Sequence, residues 1–382
     1  MMTTHANWSY PTHIRFGAGR LREVGEACAD IGIENPLVVT DKGLAKRPIT
    51  QTLKNTLNDN CLNFGFFSGV EPNPTDENLE AGLKAYIEGK HDGVIGFGGG
   101  SALDLGKLIA FQAGQTRPIW DFEDIGDRWT QADTEVIAPN IAIPTTAGTG
   151  SEVGRAGVLT DSKNHVKKII FHPKMLPSRV IADPALTVDL PPVVTVGTGL
   201  DAFIHSLEAY CSPSYHPMSQ GIALEGMRLI KENLPIVYET PSNMEARGHM
   251  MTAAAMGATA FQKGLGAMHA LSHPVSAVFN TPHGMTNAVV MPAVLRFNRP
   301  AIEESITSAA SYMGIDGGFD GFYDHMIALS ETLNVPKSLE ELGANPGKIE
   351  LLAKMAIKDP SAGGNPVELT LEAAINLYSE CF

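Results

Sequence analysis

Val94-Ile95-Gly96-Phe97-Gly98-Gly99-Gly100-Ser101 reads as an apolar strand that runs into a glycine turn, with helix-type sequence directly after it. Three consecutive residues without Cβ let backbone N–H groups approach a phosphate closely, and the positive end of the following helix dipole favours its charge. Alone, such a turn is equally compatible with a tight turn of no function. A second loop, Pro144-Thr145-Thr146-Ala147-Gly148-Thr149-Gly150-Ser151, follows the next apolar run and adds hydroxyl donors to its backbone amides. Two such loops at neighbouring strand ends form a crevice of the kind in which open α/β sheets bind ligands.

Outward from these loops, β-type runs at 13–16, 36–40, 63–67, 93–97 and 140–143 alternate with helix-type stretches at 20–30, 75–88 and 102–112. Three more β-type runs follow at 158–160, 168–171 and 180–182. The alternation predicts an α/β domain, a parallel sheet with helices on both faces. Asp183-Pro184 and Pro191-Pro192 then interrupt regular structure. Beyond them Ala, Met, Leu and Glu recur at helical spacing to the C-terminus. The expectation is an α/β dinucleotide-binding domain over 1–190 and an all-helical metal-binding and substrate domain over 191–382.

Asp41 ends the run Leu37-Val38-Val39-Thr40, where a carboxylate would accept hydrogen bonds from an adenosine ribose and repel a 2′-phosphate, favouring NAD over NADP. A surface acid capping the next turn is the alternative. Asp41 precedes the glycine turn, whereas the usual dinucleotide fingerprint places its acid about 20 residues after the glycines, so a standard Rossmann unit is not predicted.

In the helical half, Asp201 and His205 stand four apart and project from one helix face, and His269 and His273 repeat that spacing. His283 follows at the Pro282-His283-Gly284 turn. Any one of these histidines alone is better explained as a structural residue. Together, in otherwise apolar helices, they need a compensating partner, and a divalent cation supplies one. Imidazoles with one carboxylate suit Fe(II) first and Zn second. Cys28, Cys61, Cys211 and Cys381 form no C-x-x-C pair, so neither a thiolate zinc site nor a disulfide framework is expected. Other histidines, among them His91, His172 and His216, show no such grouping and read as structural or exposed.

The chain's 382 residues carry 28 Lys+Arg against 42 Asp+Glu, a net charge of −14 without an acidic tail. Nucleic acid and anionic membrane are disfavoured as partners. No apolar run approaches the roughly 20 residues needed to span a bilayer, and the polar start Met1-Met2-Thr3-Thr4-His5 has no signal-type segment, so a cytoplasmic location is expected.

With these residues in view, the chain resembles the iron-containing alcohol dehydrogenase family over nearly its whole length. The resemblance rests on Val38-Val39-Thr40-Asp41, Glu71-Pro72-Asn73-Pro74-Thr75, Gly98-Gly99-Gly100-Ser101 with Asp104 and Lys107, 144–152, Gly199-Leu200-Asp201-Ala202 with His205, and 264–284. It implies a metal held by Asp201, His205, His269 and His283, with His273 near the nicotinamide as proton relay. It further implies nucleotide contacts from Asp41, Asn73, Gly98, Gly99, Gly100, Ser101, Thr145, Thr146, Thr149 and Ser151, and from Lys168, chosen over Lys167. A homodimer acting on a small alcohol or aldehyde is the expected assembly. Arg155, in a stretch where many relatives are more apolar, stands either as a contact for an acidic substrate or as a structural ion pair. Two other readings are an NAD-containing metal-dependent lyase or cyclase with the dehydroquinate synthase-like fold, and a non-catalytic metal-binding assembly protein.

Overall fold

The computed structural model describes residues 12–164 and 166–382. The polar opening at Met1, on which the expectation of no signal segment rests, lies outside them. In chain order the first half forms β1 (His13–Phe16), α1 (Val24–Ala29), β2 (Pro36–Asp41), α2 (Pro48–Asp59), β3 (Gly65–Val70), α3 (Asp76–Glu88), β4 (Gly93–Gly98), α4 (Gly100–Gln112), β5 (Asn140–Pro144), β6 (Ala156–Asp161), β7 (Val166–Phe171) and β8 (Arg179–Ala182).

Six of these strands pair in parallel, in the order β1-β8-β5-β4-β2-β3. Successive side chains of a strand face opposite ways, and both faces here are covered. Leu37, Val39 and Val94 pack with Leu79 of α3 and Leu105, Leu108 and Ile109 of α4. Val38, Ile95 and Phe97 pack with Val24 and Ala27 of α1 and Leu53 and Leu57 of α2. This two-sided burial explains why β2 and β4 read as unbroken apolar runs.

Several local expectations are corrected. The runs at 158–160 and 168–171 do not join the parallel sheet; β6 and β7 pair antiparallel as a separate hairpin. Strand composition carries no direction. The reversal comes from the turn, where Asp161 Oδ1 accepts from the backbone N–H groups of Lys163 and Asn164 at 3.1 Å. The strand expected at 63–67 is Gly65–Val70, and the helix expected at 20–30 starts as a 3₁₀ turn, Arg20–Glu23, before α1. Helix α2 was not anticipated, because its Thr, Gln and Asn content hides a stripe of Leu53 and Leu57. His172 and His216 each accept a backbone N–H through Nδ1, at the starts of a 3₁₀ turn and of a helix respectively.

The second half is all helical: α5 (Pro192–Cys211), α6 (Pro217–Glu239), α7 (Met244–Ala260), α8 (Ala267–Phe279), α9 (His283–Tyr312), α10 (Gly318–Thr332), α11 (Ile349–Ala356) and α12 (Leu371–Cys381). Pro192 opens α5 at a position where a missing N–H costs nothing, so the β-branched run Val193-Val194-Thr195-Val196 still enters a helix. Among the described residues two compact units separate: one is 12–146 with 150–189, the other 147–149 with 190–382. No helix among them is long and apolar enough to cross a membrane.

Candidate metal centre and nucleotide loops

In the helical unit, α5 carries Asp201 and His205 on one face, α8 carries His269 and His273, and His283 is the first residue of α9. Their polar atoms converge. Asp201 Oδ1 lies 4.0 Å from His205 Nε2, 3.8 Å from His269 Nε2 and 3.5 Å from His283 Nε2. Ligand atoms around a tetrahedral cation at about 2.0–2.2 Å stand roughly 3.3–3.6 Å apart; Asp201, His205 and His269 bring theirs within 4.8 Å of one another, and His283 adjoins this trio through Asp201. Asp201, His205 and His269 are buried, while the His283 side chain is 28% exposed. The approach of α9 to α5 depends on Gly284, where an added Cβ would lie 2.0 Å from the Gly197 carbonyl oxygen. That close contact sets His283 beside Asp201.

The donor set fits a cation. Among the described residues the only amide at its centre is Asn287, whose Nδ2 is 2.9 Å from Asp201 Oδ1, 3.3 Å from His269 Nε2 and 3.1 Å from His283 Nε2. One NH₂ group has two hydrogens for these three acceptors. Burial pushes the pKa of His205 down to about 4 against the pull of Asp201, which keeps that imidazole an acceptor. For His269 burial also works downward, and the Glu208 and Asp201 carboxylates outweigh it, raising the pKa. No cysteine belongs to the set, so the chemistry of the donors suits Fe(II) or Zn.

Three residues that the sequence reading passed over support this centre. Glu208 lies 2.6 Å from His269 Nδ1, Asp359 lies 2.8 Å from His273 Nδ1, and Asn287 sits among the ligand atoms. Two of them had a signal. Glu208 is at i+7 from Asp201 on the same helix face, and Asn287 is at i+4 from His283. Asp359 had none, since only the fold brings it to His273. His273 also stacks on His283 with ring centroids 5.1 Å apart.

In the α/β unit, β4 and β5 end side by side, Gly98 opposite Pro144, and Thr145 N–H donates to the Gly98 carbonyl at 2.9 Å. Gly98 has φ +151°, and a Cβ there would lie 2.7 Å from Ala102, so the turn takes glycine for both reasons. Gly99 and Gly100 lead into α4 with no side chain over its first N–H groups, and Gly99 faces Thr146. Asp41 Oδ1 accepts from Gly43 and Leu44 N–H at 2.8 Å, and its other oxygen points toward Gly98. Ser101 donates to the Pro72 carbonyl at 2.6 Å, tying Asn73 and its neighbours to the glycine turn. Ser151 donates to Asp104 at 2.5 Å. Lys168 Nζ lies 3.4 Å from Asp161 and 3.9 Å from Glu123, while Lys167 pairs in register with Thr160 on the other face of β7. Thr149 groups with the helical unit. Arg155 stacks over Phe171 at 5.4 Å, with Asp124 facing its charge.

Two family descriptions cover the chain: "Iron-containing alcohol dehydrogenase" matches residues 11–184, and "Fe-containing alcohol dehydrogenase family, C-terminal" matches residues 195–382. The chain belongs to the iron-containing alcohol dehydrogenase family. It is therefore a metal-dependent alcohol dehydrogenase. It is 34% identical over 378 residues to the 1,3-propanediol dehydrogenase of Citrobacter freundii, covering 96% of each chain. Among solved structures it is similar to a 1,3-propanediol oxidoreductase, with a TM-score of 0.93, 33% identity, and 98% and 99% of the two chains covered. The sulfoacetaldehyde reductase of Bifidobacterium kashiwanohense, solved in complex with NAD+, matches at TM-score 0.89 and 29% identity over 99% of each chain. These likenesses extend the dehydrogenase fold over both units, and nothing among them favours the lyase or the assembly-protein reading.

Proposed function

We propose that this dehydrogenase moves a hydride between a short primary alcohol or diol, or its aldehyde, and NAD. The observation that carries the reading is the convergence of His205, His269 and His283 on one oxygen of Asp201. A divalent cation held by these four, Fe(II) before Zn, would act as a Lewis acid toward the substrate oxygen, and the nicotinamide would take the hydride. The chain's own work is to hold these ligands, to orient the substrate and to move one proton. His273 is the proton-bearing group in this reading, because Asp359 fixes its Nδ1 and leaves the other ring nitrogen to pass a proton.

NAD is supported by the paired glycine loops and by the NAD+ complex of the similar sulfoacetaldehyde reductase. In this reading Gly98, Gly99, Gly100, Ser101, Thr145, Thr146 and Thr149 receive the pyrophosphate and nicotinamide side, with Asn73, Ser151 and Lys168 completing the contacts. Asp41 selects NAD over NADP through the oxygen not used by Gly43 and Leu44. A short uncharged alcohol is favoured over a hydroxy acid, since Phe171 and Asp124 already engage Arg155. A cytoplasmic homodimer remains part of the proposal, with Ile14 and Phe16 giving edge strand β1 apolar surface.

NADH formation from a panel of short alcohols, diols and hydroxy acids, in metal-stripped and in Fe(II)- or Zn-reloaded protein, tests the proposal. Turnover of diols restored by metal supports it. Turnover that is indifferent to stripping, or that is confined to hydroxy acids, goes against it.

A further inference from the structure

Glu208, on the buried face of α5, is in contact with a proposed ligand while belonging to a different helix from it. Its carboxylate accepts three hydrogen bonds: from Gly266 N–H at 2.9 Å, from Met268 N–H at 2.6 Å and from His269 Nδ1 at 2.6 Å. The first two are N–H groups at the start of α8, which have no partner inside that helix. Asn365 Oδ1 takes the intervening one, Ala267 N–H, at 3.0 Å. Gly266 makes room for this arrangement, because a Cβ there would stand 3.0 Å from Glu208 and 2.9 Å from Asn365. An anion at a helix N-terminus is favoured by the helix dipole.

We infer that Glu208 is the positioning residue of the metal centre: it fixes the His269 proton on Nδ1 and turns the Nε2 lone pair toward the cation, while anchoring the start of α8. The inference rests on the metal reading above. The tautomer follows from both sides of the ring. Nδ1 faces a carboxylate, which accepts only, so Nδ1 must donate. Nε2 faces the Asn287 amide hydrogens at 3.3 Å, so Nε2 must accept. Histidine ligands backed by a carboxylate are better oriented and more basic than unbacked ones. His283 Nδ1, by contrast, faces the neutral Ser272 hydroxyl at 3.5 Å. Of these two histidines, His269 is the one whose Nδ1 is backed by a carboxylate.

Glu208→Gln removes the charge but keeps one acceptor oxygen, which serves one of the two α8 N–H groups that Oε2 and Oε1 of Glu208 take, so it weakens the cap less than Glu208→Ala does. Co(II) is the probe, read by chelator competition and by its d–d absorption, beside thermal unfolding of the metal-stripped protein. The expected result is a Co(II) affinity lower by roughly 10- to 100-fold and a changed absorption spectrum, with a loss of stability smaller than that of Glu208→Ala. Unchanged affinity and spectrum would overturn the inference. So would a loss of affinity matched by a loss of stability as large as that of Glu208→Ala, which would make Glu208 a cap alone. If Glu208→Gln does not fold, ¹⁵N-histidine spectra of wild type decide: a proton on His269 Nδ1 supports the inference and one on Nε2 overturns it. Wild-type protein that takes up no Co(II) would sink the metal reading itself, a failure recognisable because it does not depend on residue 208.

Discussion

His273 and Asp359 stand 86 residues apart in the chain and 2.8 Å apart in the fold, Nδ1 to Oδ2. The histidine side chain is 23% exposed and the carboxylate is more buried, at 13%. Burial alone would push the Asp359 pKa up, and the neighbouring imidazole outweighs it, so the acid stays ionised and holds its partner in one orientation. Asp359→Asn should lower turnover by about 10- to 100-fold while leaving metal content unchanged, as measured by steady-state rates and metal analysis. Combined with His273→Ala it should cost little more than His273→Ala alone, because both act on one proton path. Additive losses would place Asp359 outside that path.

Glu152 gives the α/β unit a pH dependence of its own. Burial raises its pKa from 4.5 to about 7, partly offset by its own backbone and by Lys107. The folded protein therefore binds this proton more tightly than the unfolded chain does. Its contribution to stability is fully present below pH 4.5 and is lost as pH rises through 7. Urea unfolding should show stability falling across that window, and Glu152→Gln should remove up to a few kcal/mol of the fall. A wild-type slope retained by Glu152→Gln would assign the titration to another group.

Gly284→Ala places a methyl 2.0 Å from the Gly197 carbonyl, and backbone must move to admit it. Stability should fall by about 1–3 kcal/mol in thermal or urea unfolding, with weaker metal binding because His283 is displaced from Asp201. Wild-type metal affinity in this variant would show that His283 does not depend on the contact.

Asp41→Gly should relax discrimination against NADP, read as the ratio of kcat/KM for the two cofactors. Some stability should be lost too, since Gly43 and Leu44 lose their acceptor. An unchanged cofactor ratio with lower stability would make Asp41 a turn residue only.

Much of this was legible in the chain because it is local. The glycine turn of β4, the spacing of Asp201 and His205, and the apolar runs of a sheet covered on both faces are patterns within a dozen residues. The direction of β7 was not legible, since it depends on Asp161 folding the turn back on itself. Helix α2 was hidden because propensity is a weak guide where two leucines do the packing. Asp359 could not be found from spacing at all. Glu208 and Asn287 are within reach of spacing, at i+7 from Asp201 and i+4 from His283 on the same helices.

In the proposed centre Asp201, His205, His269 and His283 hold one cation. Anomalous diffraction at the iron edge from Fe(II)-loaded crystals tests it most directly. A single peak is expected between the four side chains, about 2.0–2.2 Å from the Asp201 oxygen and the three Nε2 atoms. A peak elsewhere, or none with the four side chains ordered, would contradict it.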